Sequence, residues 1–341
     1  MDTHSSASTS SLLSLLLLTL LLVLGSLPSP TLSTSERCHP DDKRALLNIK
    51  KAVTIPDHLA SWNASNDCCY WDYVECHTET NRIYRLLMYD TSIHRPIPPS
   101  VGDLPYLEAL VFNNINNLTG PIPYSITKLQ NLKMLSIIWT PLSGRIPDFL
   151  GQLKSLEYLD LSHNQFSGSI PASLANLQNL TGIQLAANRL SGSIPDSFGR
   201  FKDNLYVFVL SRNMLSGKIP KSLSQLDCDS IDLSHNKLVG DASMLFRENS
   251  TVRGLDLSFN RLDFDLSNVK FPKNLTFLDL SHNRIRGSIP QQVTELDLWR
   301  MDFSYNRLCG RIPVGGKLQQ FSYESFIQNR CLCGTPLSDC R

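Results

Sequence analysis

Residues 159–171 read Leu-Asp-Leu-Ser-His-Asn-Gln-Phe-Ser-Gly-Ser-Ile-Pro, and variants of this pattern recur from about residue 82 to residue 313. The closing Ile-Pro step falls at Pro98, Pro123, Pro147, Pro171, Pro195 and Pro220, and returns at Pro290 and Pro313. Gaps of 24 or 25 residues separate the first six steps. Such gaps are typical of leucine-rich repeats, whose period is roughly 20–29 residues. We count ten units, which start near Arg82, Tyr106, Asn131, Ser155, Asn179, Asp203, Asp227, Thr251, Asn274 and Asp297.

Each position of the repeat has a physical role. The apolar residues of Leu-x-Leu alternate with exposed ones, which predicts the inward side of a short strand. The amide of Asn164 and its equivalents both donates and accepts, so it can satisfy buried backbone groups at a turn. Proline after isoleucine fixes φ and removes a donor, which indicates an irregular outer segment. Because one repeat cannot bury its own apolar side, stacking predicts an α/β solenoid, a right-handed superhelix with a parallel β-sheet on its concave face.

The pattern predicts a leader, two caps and the repeats between them. We expect a signal peptide at residues 1–35, an N-terminal cysteine cap at 36–80, ten repeats at 81–308 and a C-terminal cysteine cap at 309–341. Leu12 to Leu24 is an apolar run shorter than the length of about 20 residues that spans a bilayer, which favours a signal peptide over an uncleaved anchor. Since no second apolar stretch follows, we expect a secreted protein with no membrane anchor in its mature form.

Cysteines cluster at both ends of the expected mature chain. In an exported protein these clusters predict disulfides rather than zinc ligands, because adjacent cysteines lack the usual ligand spacer. The predicted pairs, among several connectivities that the sequence allows, are Cys38–Cys68, Cys69–Cys76, Cys309–Cys331 and Cys333–Cys340. Cys228 takes an apolar position before a strand and is expected to be a buried free thiol. Within the first cap, residues 41–50 predict an amphipathic helix with an acidic start.

The composition and the motifs argue against several functions. A formal net charge of +1 and the lack of an evident basic stripe disfavour nucleic acid as a partner. Residues 160–163 hold the residue types of a hydrolase triad, but Asp-Leu-Ser-His-Asn recurs at residues 232–236 and 279–283. A catalytic group needs one specific geometry, so we interpret this motif as repeat consensus. The sequence therefore predicts no enzyme activity, catalytic residue, metal or cofactor.

Side chains that flank Leu-x-Leu are expected to point to the concave face, where the repeats differ from one another. Exposed aromatic and aliphatic residues rimmed by charge favour a protein interface. Ten strands about 4.8 Å apart form a wall on the order of 40 Å long, which suits a folded protein better than a metabolite. Trp139, Tyr158 and Phe259 are the anchor candidates. The candidate partner-binding residues are Ser136, Ile138, Trp139, Tyr158, Asp160, His163, Thr181, Gln184, Val207, Val209, Arg212, Asp232, Arg253, Asp256 and Phe259.

Asn-x-Ser/Thr sites predict glycan acceptors in an exported chain. These sites are Asn63, Asn117, Asn179, Asn249 and Asn274. Asn179 and Asn274 start repeats close to the strands, so glycans on them would limit the surface that is open to a partner.

Several motifs outside the repeat resemble those of plant polygalacturonase-inhibiting proteins, an extracellular leucine-rich-repeat family. They are residues 42–51, the adjacent cysteines 68–69, residues 240–246, residues 264–266 and the ending at residues 331–337. The resemblance covers nearly all of the expected mature chain and implies the plant-type leucine-rich-repeat fold with disulfide-bonded caps.

The resemblance also implies a function. Members of the family are plant cell-wall proteins that inhibit secreted endo-polygalacturonases of fungi, and in some cases of insects, in plant defence. The implied mechanism is docking of the concave face over the enzyme's pectin-binding cleft, and Asp160 matches an acidic position that meets basic residues of the enzyme. Pectin binding is implied for some members, although no dense basic patch is evident in the sequence. Ice binding and developmental signalling, found in related plant proteins of this shape, are the alternatives.

Overall fold

The computed structural model describes residues 37–52, 59–93, 95–201 and 205–340. The expected signal peptide at residues 1–35 lies outside the described residues. Across these four ranges, no helix has both the length and the apolar character needed to cross a membrane.

The N-terminal cap contains the predicted amphipathic helix, α1 (Pro40–Ala52). Acidic residues occupy its first turn and lysines its last, which complements the helix dipole. Asp42 is buried, and its carboxylate accepts hydrogen bonds from the Arg82 guanidinium at 2.9 and 2.6 Å and from the Ile83 backbone N–H at 2.9 Å. This pairing ties the cap helix to the first repeat.

Strands form at the predicted Leu-x-Leu positions, and a second set of short strands follows each turn. In chain order the strands are β1 (Val74–Cys76), β2 (Ile83–Tyr89), β3 (Ala109–Asn113), β4 (Met134–Ile138), β5 (Ser143–Gly144), β6 (Tyr158–Asp160), β7 (Gln165–Gly168), β8 (Gly182–Gln184), β9 (Arg189–Gly192), β10 (Val207–Val209), β11 (Met214–Lys218), β12 (Ser230–Asp232), β13 (Lys237–Gly240), β14 (Gly254–Asp256), β15 (Arg261–Leu262), β16 (Phe277–Asp279), β17 (Arg286–Gly287), β18 (Arg300–Asp302), β19 (Arg307–Arg311) and β20 (Cys331–Cys333).

These strands make three sheets within the described ranges. The first sheet has the order β1-β2-β3-β4-β6-β8-β10-β12-β14-β16-β18, and all of its pairs are parallel except β1 with β2. A second sheet runs β15-β13-β11-β9-β7-β5, and a third runs β17-β19-β20. The predicted α/β leucine-rich-repeat solenoid, with the first sheet on its concave face, is confirmed.

A ladder of buried asparagines closes the turn between the two sets of strands. The Nδ2 group of Asn236 donates to the backbone oxygens of Leu210 and Leu233 at 3.0 and 3.2 Å, and its Oδ1 accepts from the Leu215 N–H at 2.9 Å. Equivalent bonds are made by Asn188, Asn213, Asn260, Asn283, Asn306 and Asn329. The Nδ2 group of Asn164 donates in the same way, but its Oδ1 accepts from the N–H and hydroxyl of Thr140. Because Asn329 belongs to the predicted C-terminal cap, this cap continues the turn of the repeat.

The outer side of the solenoid consists of short 3-10 helices, most of which follow the proline of Ile-Pro. Pro171, for example, has φ −65° and caps the helix after it, which agrees with the irregular outer segment predicted for this position. In the described ranges the 3-10 helices are Cys68–Tyr70, Pro99–Asp103, Tyr124–Lys128, Asp148–Gln152, Ala172–Asn176, Asp196–Arg200, Lys221–Gln225, Ser243–Leu245, Gln291–Glu295, Leu318–Gln320 and Tyr323–Ser325.

Disulfides close both caps and join the predicted partners. They are Cys38–Cys68, Cys69–Cys76, Cys309–Cys331 and Cys333–Cys340. Cys228 is a free, buried thiol whose Sγ donates to the backbone oxygen of Ser230 at 3.0 Å. Burial raises the pKa of the Cys228 thiol to about 12, so it lacks the thiolate that makes a cysteine reactive.

Candidate partner-binding face

The first sheet places its outward side chains in rows, one residue per repeat. Its strands pair in register, which sets Asp160 beside Ser136 on one side and Gln184 on the other. The same register aligns aspartates on four consecutive strands. This acidic row is Asp232, Asp256, Asp279 and Asp302. Because neighbouring strands lie about 4.8 Å apart, like charges are close together along it.

A second row lies where each first-sheet strand turns. The acidic row occupies one position of the repeat, and the turn row lies three residues after that position. In eight consecutive repeats the residue there is not glycine, yet its backbone lies in the left-handed region. This turn row, with φ between 51° and 56°, is Trp139, His163, Ala187, Arg212, His235, Phe259, His282 and Tyr305. Few non-glycine residues adopt this conformation, and its recurrence sets the side chains of successive repeats one above another.

Rings stack along the turn row. The ring centroids are 4.2 Å apart for His235 and Phe259, 4.0 Å for Phe259 and His282, and 4.1 Å for His282 and Tyr305. The interplanar angles are 22°, 15° and 10°. These four residues form a continuous ring ladder across the last four repeats.

The predicted anchor residues differ in exposure. Trp139 is 56% exposed and stacks on His163 with ring centroids 3.6 Å apart, and Phe259 is 43% exposed within the ring ladder. Tyr158 is half-buried. A Cβ atom on Gly182 would lie 2.7 Å from the Tyr158 ring, so glycine at this position makes room for the tyrosine.

Asp160 differs from its expected exposure. The side chain is 7% exposed, and its Oδ1 accepts hydrogen bonds from the Ser162 N–H at 2.9 Å and the Ser162 hydroxyl at 2.6 Å. Burial raises the pKa of the Asp160 carboxyl, while the two bonds from Ser162 act in the opposite direction. The expectation of an exposed acidic contact was wrong here, because the carboxylate folds back onto its own turn.

Other predicted residues lie on the strands or at their rim. Those half-buried on the strands are Ile138, Gln184, Val207 and Val209. Ser136 in β4 was expected to be exposed, but it is buried, with only 8% of the residue accessible to solvent. Thr181 precedes β8, and its hydroxyl donates to the backbone oxygen of Glu157 at 2.9 Å. Arg212 is exposed in the turn row.

A cavity of about 470 Å³ opens beside the acidic row. Gly254 leaves a notch in the sheet, and the walls include Phe277 and Trp299, whose ring centroids are 5.4 Å apart. The predicted residues that line this cavity are Asp232, Arg253 and Asp256. Trp299 is 67% exposed and was missed by the sequence analysis. The sequence feature that could have identified Trp299 is its place as an aromatic residue directly before a strand.

Burial and neighbouring charges shift the pKa values of three residues in these two rows. Burial raises the pKa of Asp256 to about 6, and the neighbouring carboxylates of Asp232 and Asp279 act in the same direction. Burial also raises the pKa of Asp279. The pKa of His235 is lowered, first by burial and then by the Arg212 charge.

Basic residues form another row, on the strands that follow the turn. This basic row occupies the position directly after the ladder asparagine and is exposed throughout: Arg189, Lys237, Arg261, Arg284 and Arg307. Among the described residues, Arg307 pairs with Asp263 at 4.0 Å, and the other four form no ion pair. Met214 occupies this position between Arg189 and Lys237, so the row is an interrupted series with one cation per repeat, and it becomes visible only when the repeats are aligned on asparagine.

All five predicted glycan acceptors, at Asn63, Asn117, Asn179, Asn249 and Asn274, are exposed. The Nδ2 group of Asn179 donates to the backbone oxygen of Lys154 at 3.1 Å. Thr276, the third residue of the Asn274 site, lines the cavity. A glycan on Asn274 would therefore stand at the edge of the cavity.

Residues 160–163 have the geometry of repeat scaffold. The Ser162 hydroxyl donates to Asp160 at 2.6 Å, while the His163 ring stacks on Trp139. The same serine-to-aspartate bond recurs at 2.6 Å between Ser258 and Asp256. Its recurrence agrees with the interpretation of this motif as repeat consensus.

The chain is similar in sequence and in structure to known proteins. Residues 39–77 match the family model described as leucine rich repeat N-terminal domain, and residues 155–177, 179–201, 204–226 and 274–296 match the leucine rich repeat model. A polygalacturonase inhibitor of Vitis vinifera is 55% identical over 333 residues, which is 98% of this chain and 99% of that protein. One of Pyrus communis is 56% identical over 322 residues, 94% of this chain and 97% of that protein. The crystal structure of a plant ice-binding protein superposes with a TM-score of 0.87 at 45% identity, covering 89% of this chain and 99% of that one.

The fold, the capped ends and the variable concave face define a leucine-rich-repeat protein of the plant type. Within that class the relatives narrow the assignment, because their identity extends over nearly the whole length of both chains. The chain belongs to the polygalacturonase-inhibitor family.

Proposed function

We propose that this protein inhibits endo-polygalacturonases by docking its concave face over the enzyme's substrate-binding cleft. The observation that carries the proposal is the near full-length identity with proteins named polygalacturonase inhibitor. That these relatives are named inhibitors also favours a binding protein over an enzyme.

The shape of the concave face supports a macromolecular partner. Its parallel strands at about 4.8 Å spacing form a surface much larger than a pocket for a sugar unit. Trp139 and Phe259 project from it as exposed aromatics, which are the side chains that most often dominate protein interfaces. The acidic row, which lies beside Phe259 but several repeats away from Trp139, would complement basic residues that line a cleft for an acidic polymer.

The covalent chemistry of the chain supports an extracellular site of action. Four disulfides in the caps and five exposed glycan acceptor sites suit an oxidising, extracellular compartment. We propose that the protein acts in the plant cell wall, where it would meet enzymes secreted by pathogens.

Pectin binding is a second part of the proposal, and the basic row supports it. Five exposed cations, four of them without an ion pair among the described residues, occupy the same position after the turn in five repeats. A linear polyuronate carries regularly spaced carboxylates that such a series can pair with. The basic row follows the turn, so it is separate from the first-sheet residues proposed to meet the enzyme.

Ice binding is the second candidate function, favoured by the likeness to the solved plant ice-binding protein. The second sheet carries half-exposed serines in successive strands, each followed by a glycine: Ser143, Ser167, Ser191 and Ser216. This row of small polar residues is regular from strand to strand, unlike the varied side chains of the concave face. The ice-binding function is tested by measuring thermal hysteresis with the purified protein.

The inhibitor proposal is tested by the release of reducing sugar from polygalacturonic acid. A panel of fungal endo-polygalacturonases is assayed with and without the purified protein, and dose-dependent loss of activity is expected for at least one enzyme. Trp139→Ala is expected to weaken that inhibition. Tyr124→Ala, which removes a 66% exposed aromatic from an outer 3-10 helix, is the matched control and is expected to leave it unchanged.

Each outcome of this assay decides one part of the proposal. Undiminished activity of every enzyme in a broad panel, with a well-folded protein, would count against the inhibitor function and move attention to ice binding. Inhibition that Trp139→Ala leaves intact would instead retain the function and count against the docking face.

A further inference from the structure

The turn row is interrupted at one repeat. Seven of its eight side chains end in a ring or a guanidinium, whereas Ala187 ends in a methyl group. The backbone continues unchanged, because φ is 56° at His163, 52° at Ala187 and 53° at Arg212. The His163 N–H donates to the backbone oxygen of Ala186 and the Ala187 N–H donates to that of Ser211, both at 2.9 Å. The interruption therefore concerns only the side chain of this repeat.

The interruption is wide enough for one ring. Elsewhere in the row, side chains one repeat apart stack with ring centroids 3.6 to 4.2 Å apart. His163 and Arg212 are two repeats apart, so their places in the row are about 8 Å apart, which puts an inserted ring about 4 Å from each. We name this space the Ala187 slot: the Ala187 methyl forms its floor, and the side chains of His163 and Arg212 form its walls.

Both walls of the Ala187 slot can stack on a ring. Trp139 covers the far face of the His163 ring at an interplanar angle of 11°, which leaves the near face towards Ala187. Arg212 is exposed and forms no ion pair with another described residue. Besides burial, the Arg212 charge lowers the pKa of both His163 and His235, so its guanidinium lies within electrostatic reach of both rings. A guanidinium stacks on an aromatic face much as a second ring does.

The adjacent polar side chain is directed away from the Ala187 slot. Gln184 lies on the strand that leads into this turn, and its amide donates to the Tyr158 hydroxyl. Tyr158 pairs with Gly182, two residues before Gln184, and its ring lies over that glycine. The Gln184 amide therefore points back along the strand, and Ala187 is half-buried rather than covered.

We propose that the Ala187 slot receives one aromatic side chain of the partner, which stacks between the His163 ring and the Arg212 guanidinium and completes the turn row. This inference rests on the proposed function and specifies a residue type on the surface of the enzyme. An aromatic ring is thin enough for the slot and presents a π-face to each wall, so it gains from ring stacking on one side and from a cation–π contact on the other. An aliphatic side chain would gain neither, and a cationic one would be repelled by Arg212.

The first test fills the Ala187 slot from within the protein. Ala187→Phe places a ring where the partner's ring would lie, and the turn tolerates it because Phe259 occupies the equivalent position with φ 51°. The Kd for an endo-polygalacturonase that the wild type inhibits is expected to rise at least about tenfold, as for the loss of one anchor residue. An unchanged urea midpoint shows that the variant remains folded.

The matched control adds the same ring at a turn outside the slot. Asn114 has φ 54° and lies one repeat before Trp139 in the strand register, so Asn114→Phe adds equal bulk to the same edge of the face. This control is expected to leave the Kd within about twofold of wild type. An unchanged Kd for Ala187→Phe, or an equal rise for both variants, would overturn the inference while leaving the inhibitor function standing.

A double-mutant cycle identifies the type of side chain that enters the slot. Each exposed aromatic residue at the rim of the enzyme's cleft is changed to alanine, and every variant is measured against the wild-type protein and against Ala187→Phe. One of these substitutions is expected to raise the Kd about tenfold with the wild type and less than about twofold with Ala187→Phe, because its contact is already lost there. Additive effects for every aromatic residue would mean that no aromatic side chain enters the slot, and would overturn the inference.

A measurement without an enzyme covers the case in which the whole panel fails to bind. That failure would count against the proposed function, and the slot is then probed by NMR with indole and with 4-methylphenol at about 10 mM, since fragments of this size bind with millimolar Kd. A ring stacked over the floor is expected to shift the Ala187 methyl signal and the His163 ring signals upfield. In Ala187→Phe the His163 signals should no longer respond to either probe. Wild-type signals that both probes leave in place would overturn the inference independently of any enzyme.

Discussion

At the scale of single residues, the carboxylates of the concave face are held by the turns that follow them. Oδ1 of Asp160 accepts from the Ser162 N–H at 2.9 Å and hydroxyl at 2.6 Å, and Asp256 has the same contacts with Ser258 at the same distances. Each aspartate therefore stabilises a turn as well as contributing charge to the face. A substitution that removes the Oδ1 acceptor at either position is therefore expected to change folding.

Asp160→Lys is expected to destabilise the protein. A lysine at this 7% exposed position places an ammonium group where the aspartate accepted two hydrogen bonds, so the free energy of unfolding should fall by about 3 kcal/mol. Asp160→Asn keeps the acceptor and should unfold near the wild-type midpoint. Urea denaturation followed by circular dichroism measures both, and a wild-type midpoint for Asp160→Lys would contradict the burial of this side chain.

Asp256→Asn is expected to stabilise the protein at neutral pH. The folded state, with a pKa of about 6, binds this proton more tightly than an unfolded chain with the ordinary value of 3.8. The contribution of Asp256 to stability is therefore favourable at low pH and is lost as pH rises through about 6. The variant should gain about 1–2 kcal/mol at about pH 7 and little at about pH 4. An equal gain at both pH values in urea denaturation would argue against titration as the cause.

Residue-scale features were the hardest to predict from the sequence. The alternation of Leu-x-Leu assigned Asp160 to the exposed set, but the alternation carries no information on how a short side chain bonds to its own turn. Trp299 was missed for a related reason, since it precedes its strand and becomes part of the cavity only through the notch at Gly254. Both depend on side-chain placement, which a one-dimensional pattern does not contain.

At the scale of structural elements, the asparagine ladder links neighbouring repeats. Asn236→Ala removes the donor to Leu210 and Leu233 and the acceptor for Leu215, and leaves buried backbone groups unpaired. The free energy of unfolding is expected to fall by about 3 kcal/mol. Ser191→Ala, at a half-exposed position of β9, is the control and should change it by less than about 0.5 kcal/mol. Equal urea midpoints for the two variants would argue against a structural ladder.

Elements defined within one repeat were predicted well. Strand positions, the cap helix α1 and the asparagine turns depend on local periodicity, and the disulfides join cysteines that are neighbours within each cap. The ring ladder and the basic row were missed because they exist only between repeats. Their residues, such as Phe259 and Arg261, are visible in the sequence, but the shared position emerges only when the repeats are aligned on Asn260 and its equivalents.

At the scale of the whole molecule, different sheets carry different chemistry. The acidic row and the exposed aromatics lie on the first sheet and its turns, together with Arg212 and Arg253, whereas the basic row follows the turn. The formal net charge of +1 conceals this separation, because opposite charges on different surfaces cancel in the total. A nearly neutral protein can therefore offer one surface to a basic partner and another to an acidic polymer.

This separation predicts that pectin binding and enzyme inhibition can be removed independently. Reversing charge in the basic row with Lys237→Glu/Arg261→Glu/Arg284→Glu should abolish retention on immobilised polygalacturonate while leaving inhibition of an endo-polygalacturonase within about twofold of wild type. Wild-type retention should itself fall as salt is raised from about 0.05 to 0.5 M, because screening weakens exposed charge pairs.

The matched control reverses three exposed lysines of the outer side, Lys128→Glu/Lys154→Glu/Lys221→Glu, which changes the net charge equally. If this control also abolishes retention, net charge rather than the basic row governs pectin binding. If the basic-row variant keeps its retention, the row has no part in it. Loss of inhibition together with loss of retention in the basic-row variant would instead mean that the two surfaces act as one, and that enzyme and polymer compete for it.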